Sequence, residues 1–163
     1  MDRRRFLSTV GTVGGGLGAS FLLSWHAQAA QWMSLGIAPI DTTGMSANAA
    51  SVFDLSVASA DPTPTGVMLW THIAPHAVTS GEDLYLQVAR DAQFQSLVLQ
   101  ARIPSTEIQP DHDHTVKVDL DGQLPSSAAG SVFFYRFIYK RVLSRVGRCK
   151  TTPGSATGIK RLK

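Results

Sequence analysis

Three observations on this sequence point to an all-β chain folded as a two-sheet sandwich. Apolar and polar residues alternate in short runs, as at Leu84, Leu86 and Val88 or at Val116, Val118 and Leu120, which is the period of a half-buried strand. Turn formers separate these runs at short intervals, at Asp61-Pro62-Thr63-Pro64, Gly81, Asp91 and Asp121-Gly122, as expected of consecutive antiparallel strands. No stretch keeps helical spacing long enough to supply the crossover helix of a parallel sheet.

The first 29 residues read as an export signal rather than as part of that fold. Arg3, Arg4, Phe6 and Leu7 form a twin-arginine pattern. An uncharged, glycine-rich segment follows over residues 11–25, and Ala27-Gln28-Ala29 places small residues at the cleavage positions Ala27 and Ala29. A membrane span is the competing reading. The closely spaced glycines and the cleavage site directly behind them argue against it. The expectation is a bacterial chain carried folded by the twin-arginine export machinery to the periplasm or the exterior, with no stable membrane span after cleavage.

The 163 residues suit one domain, with 44% hydrophobic and 17% charged residues. One cysteine excludes an intrachain disulfide framework and a cysteine-based zinc cluster. Losing residues 1–29 removes Arg3, Arg4, Arg5 and Asp2, so Lys+Arg falls from 15 to 12, Asp+Glu from 12 to 11, and the net charge from +3 to +1. The basic character thus owes much to the leader. No acid follows Asp121, but the basic residues beyond it lack an interleaved aromatic platform on an exposed face. They read as solvated strand edges, and no nucleic-acid partner is expected.

Residues 30–50 are rich in Ala, Ser, Thr and Gly and read as a flexible leader. Phe53, Leu55 and Val57 then alternate as a first strand. The prolines at 62 and 64 break it, in a turn that the Asp61 carboxylate is expected to cap. Residues 67–73 are apolar on both faces, with Trp70 as the expected core anchor. Further strands are expected over residues 84–89, 94–102 and 116–120. Residues 132–142 form a long strand with Phe133, Tyr135, Phe137 and Tyr139 on one face and Arg136 and Lys140 on the other. A last strand covers residues 144–152. About seven strands in roughly 100 residues match a sandwich of the immunoglobulin or fibronectin type III kind.

The stretch FDLSVASADPTPTGVMLWTHIAP over residues 53–75 resembles the opening of PhoD-like alkaline phosphatases, whose N-terminal β-domain begins F-x-x-G-V-A-S-G-D-P…W-T-R-x-x-P. Phe53, Asp61, Pro62 and Trp70 carry the signature, and Tyr135 and Phe137 continue it downstream. The resemblance covers residues 51–153. It departs from the pattern at Ser56 and Ala60, where the family has Gly, at His72 for Arg, at Phe133 for Tyr, and at Cys149 for Thr.

The resemblance implies hydrolysis of phosphomonoesters and phosphodiesters by an iron- and calcium-bearing domain that follows the β-domain in that family. For this chain it implies the β-domain of a truncated or split enzyme, with residues 154–163 as an aberrant tail and a separately encoded catalytic domain as a candidate partner. The alternative is a stand-alone exported sandwich that binds or scaffolds.

The residue cluster closest to chemistry is Asp111-His112-Asp113-His114, which has the donor types of a divalent metal site. An extended segment points only two of the four side chains together, so a polar strand entrance is the expectation. Cys149 is expected to be a solitary strand thiol, and His72 a surface or interdomain group. No catalytic or metal-binding residue is assigned from the sequence.

Overall fold

The computed structural model describes residues 40–154. Eight strands run through them: β1 (Val57–Thr63), β2 (Gly66–His72), β3 (Leu84–Ala89), β4 (Leu97–Ile103), β5 (Thr115–Asp119), β6 (Val132–Tyr139), β7 (Val142–Leu143) and β8 (Gly147–Lys150). One sheet has the order β1-β2-β5. The other runs β4-β3-β6-β7, with β8 beside the first half of β6. Every strand-to-strand ladder is antiparallel, and the expected all-β class is what forms. No helix among the described residues is long and apolar enough to cross a membrane.

The core follows from strand alternation. Val67 and Leu69 of β2 and Val116 and Val118 of β5 face the second sheet. There they meet Leu84, Leu86 and Val88 of β3, Leu99, Ala101 and Ile103 of β4, and Phe133, Tyr135, Phe137 and Tyr139 of β6, in one continuous cluster. These four inward-facing aromatic residues of β6 are each at most 2% exposed. Each such ring dominates the apolar burial around it. Between β3 and β4, Asp91 accepts backbone N–H groups of Gln93, Gln95 and Ser96, which turns the chain and holds its carboxyl below the usual range.

Several sequence expectations are corrected. The first strand begins at Val57, not Phe53. Phe53 is buried from a turn whose N–H bonds Ala49 O at 2.7 Å, and Leu55 is exposed. The strand then passes through Asp61 and Pro62 instead of stopping. β1 is an edge strand, where a proline forfeits no ladder bond, and a bulge between Ala60 and Thr63 absorbs it, with Asp61 at φ 46°. The Asp61 carboxylate is exposed and does not cap the turn. Asp121 does, through a 2.7 Å hydrogen bond from Thr63 Oγ1.

Trp70 is not a core residue. Leu69 is fully buried, and Trp70, next along the strand, is half-buried on the outer face, between Ala58 and Lys117 on the neighbouring strands. A seven-residue strand that is apolar throughout does not announce which face is inward; the partner sheet decides. The long strand over residues 132–142 is in fact β6, a two-residue turn and β7. Lys140 and Arg141 both have positive φ, 49° and 60°, as a tight hairpin of primed type requires.

The segment from Ile40 to Ala50 is tied to the sandwich rather than free of it. Ile40 N–H donates to Gln100 Oε1 at 3.1 Å, Ser46 bridges in parallel to Val142, and Ala74 N–H donates to Val52 O at 2.8 Å just beyond. Arg136 completes the attachment on the outer face of the second sheet. Its Nε donates to Gln87 Oε1 at 2.9 Å, its Nη2 to Thr42 Oγ1, and its guanidinium lies 4.0 Å above the Phe94 ring.

Candidate functional site

The candidate site forms where β2 ends. His72 closes that strand on its outer face, yet it is only 4% exposed, because the turn holding Asp54 approaches it from one side and the turn holding Asp113 from the other. Local backbone geometry sets both turns. Ser56 has φ 66°, reversing the chain after Asp54, and Asp113 and His114 have φ 51° and 50°, reversing it between the 3-10 turn Pro110–His112 and β5. Asp is among the few side chains that tolerate this left-handed region.

His72 Nδ1 lies 2.6 Å from Asp54 Oδ1. This hydrogen bond is the main reason the Asp54 carboxyl is held below its ordinary range. An ionised carboxylate only accepts, so Nδ1 must donate, and a neutral imidazole then carries its lone pair on Nε2. Nε2 is buried without a hydrogen-bond partner and lies 3.8 Å from Asp113 Oδ2. His114 Nδ1 is the other buried side-chain polar atom among the described residues that lacks a partner. Residue 114 stands at the same end of the ladder, its carbonyl accepting from Ile73 N–H at 3.2 Å.

Beside this group, Glu107, Gln109, His112, Thr115 and Lys117 line a groove of about 430 Å³. Thr115 and Lys117 are the register partners of His72 and Trp70, so groove and histidine share one side of the three-stranded sheet. Burial pushes the Glu107 carboxyl up, and the charge of His112 opposes that.

The four residues at 111–114 do not converge on a common point. His112 lines the groove, Asp113 approaches His72, His114 turns a nitrogen into the protein, and Asp111 is exposed. No three His, Cys, Asp or Glu among the described residues are grouped to hold a metal ion. These residues therefore do not fit the iron and calcium centre that the resemblance implies. Cys149 is buried opposite Phe133, and burial pushes its thiol up to about 11. That is an inert core thiol rather than a reactive one.

Of the signature residues, Phe53, Tyr135 and Phe137 are in the core, while Asp61 and Pro62 are exposed at the edge bulge and Trp70 is half-buried. Arg3, Arg4, Phe6, Leu7, Ala27 and Ala29 lie outside the described residues, as does the tail beyond Gly154. Sequence reasoning missed the Asp54–His72 pair. The one signal of it was His72 standing where the resembling pattern carries Arg.

Fold and site together define an all-β sandwich domain whose buried imidazole and carboxylates gather on one outer face. The chain belongs to the family described as PhoD-like phosphatase, N-terminal domain, whose model matches residues 39–153. Alkaline phosphatase D of Bacillus subtilis (strain 168) is 30% identical over 171 residues, an alignment covering 97% of this chain and 25% of that protein. A solved structure described as "Structure of PhoD" superimposes with a TM-score of 0.54 at 33% identity, covering 64% of this chain and 20% of that one. The chain thus spans a quarter of the length of the curated relative it matches.

Proposed function

We propose that residues 39–153 serve as the N-terminal β-domain of a PhoD-like alkaline phosphatase, a module that supports phosphomonoester and phosphodiester hydrolysis carried out elsewhere in such an enzyme. The family match over residues 39–153 carries this reading, because it coincides with the sandwich seen over residues 40–154. The polar groups present support it as well. The buried imidazole is engaged with carboxylates, and the cysteine is a protonated core thiol. Iron and calcium belong, in this proposal, to the catalytic region, which is the domain's partner. Export by the twin-arginine machinery to the periplasm or exterior completes the reading and rests on Arg3, Arg4, Phe6 and Leu7.

A chimera tests the module. Bacillus subtilis alkaline phosphatase D, with its own N-terminal β-domain replaced by residues 39–153, is expected to be soluble and to hydrolyse a chromogenic phosphodiester. An insoluble or inactive chimera overturns the proposal, and so does turnover by the present chain alone that disappears in His72→Gln. For export, a reporter fused after Ala30 is expected to stay in the cytoplasm when Arg3 and Arg4 are both changed to Lys; periplasmic reporter in that variant rejects the route.

A further inference from the structure

We propose that His72 and Asp113 form a binding site for a borderline divalent metal ion of the Zn²⁺ or Co²⁺ type, with Asp54 as the residue that positions His72. The site does not depend on the function proposed above.

Three observations converge on it. His72 Nε2 is buried and has no hydrogen-bond partner, which is a costly condition for a nitrogen lone pair unless something accepts it. The Asp54 carboxylate fixes the opposite ring nitrogen at 2.6 Å. This is the arrangement by which a carboxylate sets the tautomer of a metal-bound histidine and raises its basicity. Finally, Nε2 lies 3.8 Å from a second donor, Asp113 Oδ2. Zinc bonds of about 2.0–2.2 Å to nitrogen and oxygen in tetrahedral geometry separate the two donors by roughly 3.4 Å. The Asp113 side chain is 84% exposed, so a small rotation closes that difference and leaves the outer coordination positions to water.

Imidazole with carboxylate favours zinc and cobalt over calcium or magnesium, which take oxygen donors. Two protein ligands make a weaker site than the four of a structural zinc, in keeping with the absence of any three-residue group among the described residues. The competing account is that His72 is held by the two carboxylates as an ion pair and binds no metal.

Calorimetric titration of the full chain with Zn²⁺, after chelator treatment and in a non-coordinating buffer, separates the two. Expected are one saturable ion per chain, a raised melting midpoint, and with Co²⁺ the visible absorption of a four-coordinate ion. His72→Gln is expected to abolish binding, and Asp113→Asn to weaken it at least tenfold. Asp54→Asn, which removes no ligand, is expected to weaken it about 10- to 100-fold, as loss of a histidine-orienting carboxylate does elsewhere. Asp113 is exposed, and Asn tolerates its left-handed backbone, so that variant tests the site without unfolding the domain. No saturable binding, or affinity unchanged in Asp113→Asn, overturns the proposal in favour of the ion pair.

Discussion

The ring of Tyr135 lies across the bare backbone of Gly147. The two are register partners on β6 and β8, and a methyl group at Gly147 would come within 2.2 Å of the ring's Cζ and 2.6 Å of its hydroxyl. Tyr135 is also 2% exposed and reaches the Ser59 side chain on the first sheet, so it has little room to swing aside. Gly147→Ala should therefore cost about 1–3 kcal/mol, the usual range for overpacking a filled site. Denaturant midpoints check this, and an unchanged midpoint would mean that the ring relocates freely.

Ser56 offers a change in the opposite direction. Its φ of 66° is left-handed, a region that costs a residue with a Cβ roughly 1–2 kcal/mol. Its two structural bonds use the backbone alone: its N–H donates to Phe53 O at 3.0 Å, and its carbonyl accepts from Thr71 Oγ1 at 2.9 Å. Ser56→Gly keeps both bonds and removes the strain. Part of the gain is offset by the entropy of an unfolded glycine, leaving a net stabilisation of about 0.5–1 kcal/mol. A lower melting midpoint in the variant would contradict it.

Trp70→Ala distinguishes the outer face from the core. A fully buried aromatic truncated to alanine loses about 3–5 kcal/mol, and Phe137→Ala, at 0% exposure, is expected in that range. Trp70 is half-buried on the outer face, so its truncation should cost roughly 1–2 kcal/mol. Equal losses in the two variants would place Trp70 in the core after all.

Cys149 ties stability to alkaline pH. Burial raises its thiol from an ordinary value of 9.0 to about 11, so between those values the unfolded chain releases a proton that the folded one keeps. The folded state then binds more protons, and stability falls as pH rises from the unfolded value towards the folded one. Cys149→Ala should flatten that part of the curve. The same gap lowers the native thiolate fraction about a hundredfold near neutral pH. Labelling by a thiol reagent should be at least that much slower in the folded protein than in denaturant. Equal labelling rates would show an open cysteine.

Residues whose neighbours in sequence decide their environment were legible; those decided by a partner element were not. The alternation at Leu84-Leu86-Val88 and at Phe133-Tyr135-Phe137-Tyr139 named the core faces of β3 and β6 correctly, because period 2 leaves no choice once one face is buried. Strand β2 carries no such alternation, and the sequence offered Trp70, its largest side chain, where the sheet stacking selected Leu69. The hairpin at Lys140-Arg141 was hidden because neither residue is a usual left-handed turn former. The Asp54–His72–Asp113 group was signalled only by His72 standing where the resembling pattern carries Arg. It joins three turns or strand ends separated by 18 and 41 positions, and the β1–β2 and β2–β5 registers bring them together.

Ser46 occupies the open side of β7, taking a bond from Leu143 N–H at 2.9 Å and donating its own N–H to Arg141 O at 2.9 Å. A recombinant domain started at residue 51, where the resemblance to the family signature begins, would lack this guard. It would leave bare the ladder groups of β7 and remove the bonds that Ile40 N–H makes to Gln100 and that Arg136 makes to Thr42. Unguarded strand edges recruit other chains, so such a fragment should self-associate where one begun near residue 39 stays monodisperse. For this sandwich the segment over residues 39–50 sets the difference between a soluble product and an aggregate.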